Sequence, residues 1–175
     1  MSKKFALLAA IMLTMVAFPS LASAQSVVWS MTAMTCTPTS TTAEQQKFVT
    51  TAGRVKFKDN AFGQISFLCP VTRSFPNGKY AIKGAFTRPN ATYGKGNSLQ
   101  LRRANKLTGA VSTILSATIR QEQYPPGKKW GAVMSPPKDI TFDMQNYFYW
   151  VSFSVSRPTA AGESQAFLGA EIVQY

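Results

Sequence analysis

Apolar and polar residues alternate with a period of two along most of the chain beyond residue 50. Val55 and Phe57 fall on one side of the run from Arg54 to Lys58, and three cations fall on the other. Ile65, Phe67 and Cys69 share a side, as do Tyr80, Ile82 and Phe86, and Leu99 and Leu101. The pattern continues through Leu115, Ala117 and Ile119, then Ile140, Phe142 and Met144. Its longest stretch sets Tyr147, Tyr149, Val151, Phe153 and Val155 against Ser152, Ser154 and Ser156, and it closes on Ala166, Leu168, Ala170 and Ile172. Period-two alternation is the mark of antiparallel strands with one face buried. Gly, Pro, Asn and Asp separate the runs at Asp59-Asn60, Pro76-Asn77-Gly78, Tyr93 to Asn97, Pro125-Pro126-Gly127, Pro136-Pro137 and Arg157-Pro158, where their backbone geometry suits turns. Only residues 42–49 are compatible with a helical turn. The pattern predicts an all-β antiparallel sandwich, jelly-roll-like, of eight to nine strands.

The first 24 residues follow a different rule. Lys3 and Lys4 precede a 14-residue apolar run from Phe5 to Phe18, and Ala22-Ser23-Ala24 follows Pro19-Ser20. A basic start, a short apolar centre and a small-x-small site predict a secretory signal peptide cleaved before Gln25. The run is shorter than the about 20 residues of a membrane span. Residues 25–175 are then one exported domain, periplasmic or extracellular.

Export changes the reading of the cysteines. Cys36 and Cys69 are the two in the chain, and an even pair outside the cytoplasm predicts a disulfide. A loop of about 34 residues closed in this way is worth roughly 3–4 kcal/mol. The chain contains no His. Mechanisms built on Ser-His-Asp or Cys-His are therefore ruled out, as are His-based metal sites, and no cofactor is implied. The acids are few. Asp139 and Asp143, placed on one strand face, would stand about 13 Å apart, beyond glycosidase spacings of roughly 5–9.5 Å. Lys58 and Lys138 beside Asp59 and Asp139 argue against calcium. The sequence predicts no enzyme, leaving a hydrolase as a less favoured reading.

Ile65 to Val71 around Cys69, Leu99 to Arg103, Leu107-Thr108-Gly109, and Phe142 with Asn146 to Tyr149 and Ser156-Arg157 together resemble a widespread group of small exported bacterial proteins of uncharacterised function. The resemblance covers most of residues 25–175. It implies a single β-sandwich domain with one disulfide and carries no site residues.

Formal net charge is +12, of which Lys3 and Lys4 account for two. A basic exported domain is drawn to anionic polysaccharide, lipopolysaccharide or anionic lipid; no nucleic-acid motif is present. Two clusters are candidate binding residues. Tyr124, Lys128, Lys129 and Trp130 surround a Pro-Pro-Gly turn, where aromatic faces could stack on sugars and the lysines could meet anions. Arg54, Lys56, Lys58, Lys79, Lys83 and Arg102 lie on polar strand faces that would form one patch if those strands were neighbours. Phe148 and Trp150 oppose the core face of the longest run. The expected function is non-catalytic binding of an anionic envelope or extracellular component. The alternative is a fimbria-like assembly subunit, to which Gly162 and the terminal Tyr175 bear a loose likeness.

Overall fold

Alternating segments bury one face each, and the chain satisfies them by stacking two antiparallel sheets. The structure, a computed structural model, describes residues 25–39, 41–87, 98–118, 130–157, 159 and 166–175. Twelve strands are formed among these residues. They are β1 (Ser26–Thr32), β2 (Thr37–Pro38), β3 (Phe48–Thr51), β4 (Arg54–Phe57), β5 (Gly63–Val71), β6 (Gly78–Thr87), β7 (Ser98–Asn105), β8 (Val111–Thr118), β9 (Trp130–Met134), β10 (Lys138–Ile140), β11 (Tyr147–Arg157) and β12 (Ala166–Gln174).

One sheet, A, runs β10-β6-β12-β4-β3, with β1 also along β12 and β9 also along β6. The registers place β1 and β4 on the edge of β12 opposite β6, and β9 and β10 on the edge of β6 opposite β12. The other sheet, B, runs β2-β5-β11-β7-β8. All pairings are antiparallel. The architecture is the expected jelly-roll-like β-sandwich, divided into more strands than the alternation predicts. β1 carries a register shift between Val27 and Trp29, which breaks its period. β3 reverses into β4 through Ala52 and Gly53, both at positive φ, as a two-residue hairpin turn demands. β10 ends at Ile140, so Phe142 and Met144 lie in a turn rather than on a strand. A short helix, α1 (Thr42–Gln45), falls within residues 42–49 as expected, and a 3-10 turn spans Ala33–Thr35; Glu44 accepts a hydrogen bond from the Thr41 backbone N–H at 3.1 Å.

Phenylalanines bridge the sheets. Phe153 of β11 lies 3.6 Å from Phe167 of β12 and 4.8 Å from Phe67 of β5, centroid to centroid. Phe86 and Phe48 extend the ladder at either end, each at 4.8 Å. At the other end of the sandwich Phe142 contacts Phe75, Tyr80 and Tyr149. Rings of this size dominate burial in a two-layer core. Cys36 and Cys69 form the disulfide, with Cα atoms 4.4 Å apart, tying the segment before β2 to β5 near that strand's C-terminal end.

Asp143 holds the turn that follows β10. Its Oδ1 accepts the backbone N–H groups of Gln145 and Asn146, both at 3.1 Å, and its Oδ2 accepts the Asn146 side-chain amide at 2.7 Å. These bonds, with the Asn146 side chain foremost, hold the carboxyl below the usual carboxylate range by favouring its charged form. Asp143 therefore serves as a turn clamp, off the strand that carries Asp139.

Candidate ligand-binding groove

The outer face of sheet A carries a groove of about 450 Å³. Its geometry follows from strand alternation. On β6, Ile82, Gly84 and Phe86 point inward and are buried, so Lys83 and Ala85 point out. On β12, Ala170 and Ile172 point inward, which sends Gly169 and Glu171 outward. Register then aligns the outward residues into rows. Thr32, Gly169, Ala85 and Ala132 form one row across β1, β12, β6 and β9. Ser30, Glu171, Lys83 and Met134 form the next.

The first row is the floor, and it is low because its central residues are small. Gly169 has no alternative: a Cβ there would stand 2.6 Å from the Met31 carbonyl oxygen, so the close approach of β1 demands glycine. Trp130, the first residue of β9, rises at one end and is 59% exposed. Its strand partner is Thr87, and it lines the groove with Leu168. The second row supplies polar groups. Lys83 Nζ lies 3.0 Å from Glu171 Oε2 in a half-exposed cross-strand ion pair. An exposed pair of this kind contributes only about 0–1 kcal/mol to stability, but it leaves donors and acceptors facing the groove. An adjoining hollow of about 390 Å³ shares Lys83 and Ala132 and is lined further by Met134, Val27 and Val173.

The candidate residues read from the sequence are divided by this structure. Tyr124, Lys128 and Lys129 lie outside the described residues. Trp130 starts a strand, and its side chain stays outside the core. Arg54 and Lys56 alternate with buried Val55 and Phe57, so both face outward on sheet A, as Lys79 does on β6. Lys58 is exposed in the turn after β4. Arg102 belongs to the opposite sheet, where it pairs across strands with Trp150 and its guanidinium lies 5.8 Å from that ring. The six cations of the strand faces therefore do not form one patch. Four of them, Arg54, Lys56, Lys79 and Lys83, share the outer face of sheet A with the acids Glu171 and Asp139. The floor and the Lys83–Glu171 pair carry no local signature in the sequence, since both arise from pairing strands that are distant in the chain, with 88 positions between the partners of the ion pair.

Among the described residues no three His, Cys, Asp or Glu side chains stand together as a metal site. No helix among them is long and apolar enough to cross a membrane.

No family model matches the chain, and no curated protein matches it. Solved structures with a similar arrangement exist. A low-affinity xylan-binding module from the gut symbiont Roseburia intestinalis is 8% identical, aligned over 87% of this chain and 95% of its own, with a TM-score of 0.39. A family 61 carbohydrate-binding module in complex with β-1,4-galactotriose is 14% identical over 87% and 90%, with a TM-score of 0.35. The tumour necrosis factor Eiger from S. frugiperda is 12% identical over 73% and 68%, with a TM-score of 0.31.

Proposed function

We propose that the protein is a non-catalytic binding domain for an anionic glycan outside the cytoplasm, held in the groove on sheet A. The observation that carries this reading is Trp130, a largely exposed indole standing over a floor of Gly169, Ala85 and Ala132. An exposed aromatic face beside a shallow trough suits the apolar face of a sugar ring. Lys83 and Glu171 offer a donor and an acceptor to its hydroxyls. The groove volume lies within the about 300–1,000 Å³ of small-ligand sites. Four cations against two acids on this face favour a ligand bearing carboxylates, sulfates or phosphates.

Titration with an oligouronide at low salt tests the proposal. Wild-type protein binds, binding weakens as salt is raised, and Trp130→Ala weakens it by about tenfold or more, the loss expected when a stacked aromatic anchor is removed. Trp150→Ala on the opposite sheet binds as wild type does. An oligouronide affinity unchanged in Trp130→Ala, or no binding by the wild type, would refute it.

A further inference from the structure

A second surface sits at one end of sheet B, on the hairpin joining β7 to β8. Its tip is held firmly. Asn105 Oδ1 accepts the backbone N–H groups of Leu107 and Thr108, both at 2.9 Å. Gly109, at φ +70°, donates to the Asn105 carbonyl at 2.9 Å. The tip is also fastened to the turn before β11. Lys106 donates its backbone N–H to the Asn146 carbonyl at 2.9 Å and its Nζ to the Met144 carbonyl at 2.6 Å.

This well-fixed tip presents Leu107, 94% exposed. Leu107 has company. Phe148, Ala104 and Val111 lie in one cross-strand row at the base of the hairpin, and Phe148 and Val111 are both exposed. Single exposed apolar residues are ordinary, but three grouped on one ordered edge mark an interaction surface. Cations ring them. Lys106 Nζ stands 4.8 Å from the Phe148 ring centroid, and Arg102 lies beside Trp150 in the next row of the same face. Lys106 helps to hold the nearby Asp143 carboxyl in its charged form, and the oxygens of Asp143 are occupied within its own turn.

We infer that the β7–β8 hairpin tip docks on a bilayer surface bearing anionic headgroups. The arrangement matches the two layers of such a surface. Leu107, Phe148 and Val111 enter the boundary below the headgroups, while Lys106 and Arg102 stay level with the phosphates. Three apolar side chains anchor weakly, so binding needs the charge as well. The hairpin belongs to sheet B and the groove to sheet A, so this site stands or fails independently of the glycan reading.

Co-sedimentation with vesicles tests the inference on the chain from Gln25 onward, which contains both sheets. It excludes the apolar run of residues 5–18, which would partition into lipid by itself. The protein sediments with phosphatidylcholine vesicles containing phosphatidylglycerol at low salt. It stays in solution with phosphatidylcholine alone, and millimolar glycerol phosphate does not release it. Leu107→Ser reduces partitioning by about tenfold with an unchanged melting temperature, because the residue is exposed and touches no core. Lys106→Gln reduces it and flattens its salt dependence. Equal partitioning of Leu107→Ser and wild type, equal binding to both vesicle types, release by glycerol phosphate, or no sedimentation with either would each overturn it.

Discussion

Replacing Arg157 by alanine lowers the stability of the sandwich by about 3 kcal/mol, the largest loss expected from any charged residue described here. Arg157 is the last residue of β11, and the alternation that buries Phe153 and Val155 turns it inward, where it is 5% exposed. Its Nη1 donates to the carbonyls of Lys58, Asp59 and Ala61 at 2.9, 2.7 and 3.0 Å. Those carbonyls belong to the turn that carries the chain from β4 in one sheet to β5 in the other. One guanidinium from sheet B therefore fixes a crossover between the sheets. Each buried hydrogen bond to a charged group contributes about 1.5–3 kcal/mol, and removing the buried charge returns part of that through relieved desolvation. Lysine keeps the charge, but its ammonium ends short of the position that Nη1 occupies among the three carbonyls, so Arg157→Lys recovers less than half of the loss. Urea unfolding followed by circular dichroism measures both variants. A loss under about 1 kcal/mol for Arg157→Ala would mean that water replaces the guanidinium in the turn.

Removing the disulfide gives the second large effect. The double substitution Cys36→Ala/Cys69→Ala lowers stability by about 3–4 kcal/mol through the freed loop entropy of the unfolded chain, and lowers the melting temperature by about 10 °C. Alanine is the appropriate replacement because Cys69 is fully buried and a serine hydroxyl there would add a separate desolvation cost. The same loss appears in the wild type under a reductant strong enough to open the bond. A melting temperature unaffected by both treatments would show that the segment before β2 is held by its packing alone. The short β2, with its two-residue pairing to Thr37–Pro38 partners Leu68 and Phe67, gives little such packing.

These two anchors differ in how plainly the sequence announces them. The cysteine pair is visible as soon as an exported chain is read. Arg157 is concealed by the proline that follows it, since Arg-Pro reads as a turn; only the unbroken alternation from Tyr147 through Val155 places it on the core face. The two-sheet architecture is legible for the same reason, because each long run reports its own buried face. Strands that depart from period two are not legible. β1 shifts register at Val27, β3 is four residues long, and β10 ends before Phe142. The groove is the least legible feature. Ala85, Ala132 and Gly169 are unremarkable until β6, β9 and β12 are paired, and Lys83 meets Glu171 only through that pairing. Trp130 could be singled out by its chemistry, but its exposure depends on β9 lying at the edge of β6.

The chain's three tryptophans give the most direct measurement of the central claim. Trp29 lies in the core, Trp130 stands at the groove, and Trp150 faces outward from the opposite sheet. Each contributes one indole N–H resonance to a two-dimensional nitrogen–proton spectrum. On titration with an acidic oligosaccharide, the Trp130 resonance moves saturably while those of Trp29 and Trp150 stay in place. Movement of Trp150 with Trp130 fixed, or of neither, would contradict a glycan site on sheet A.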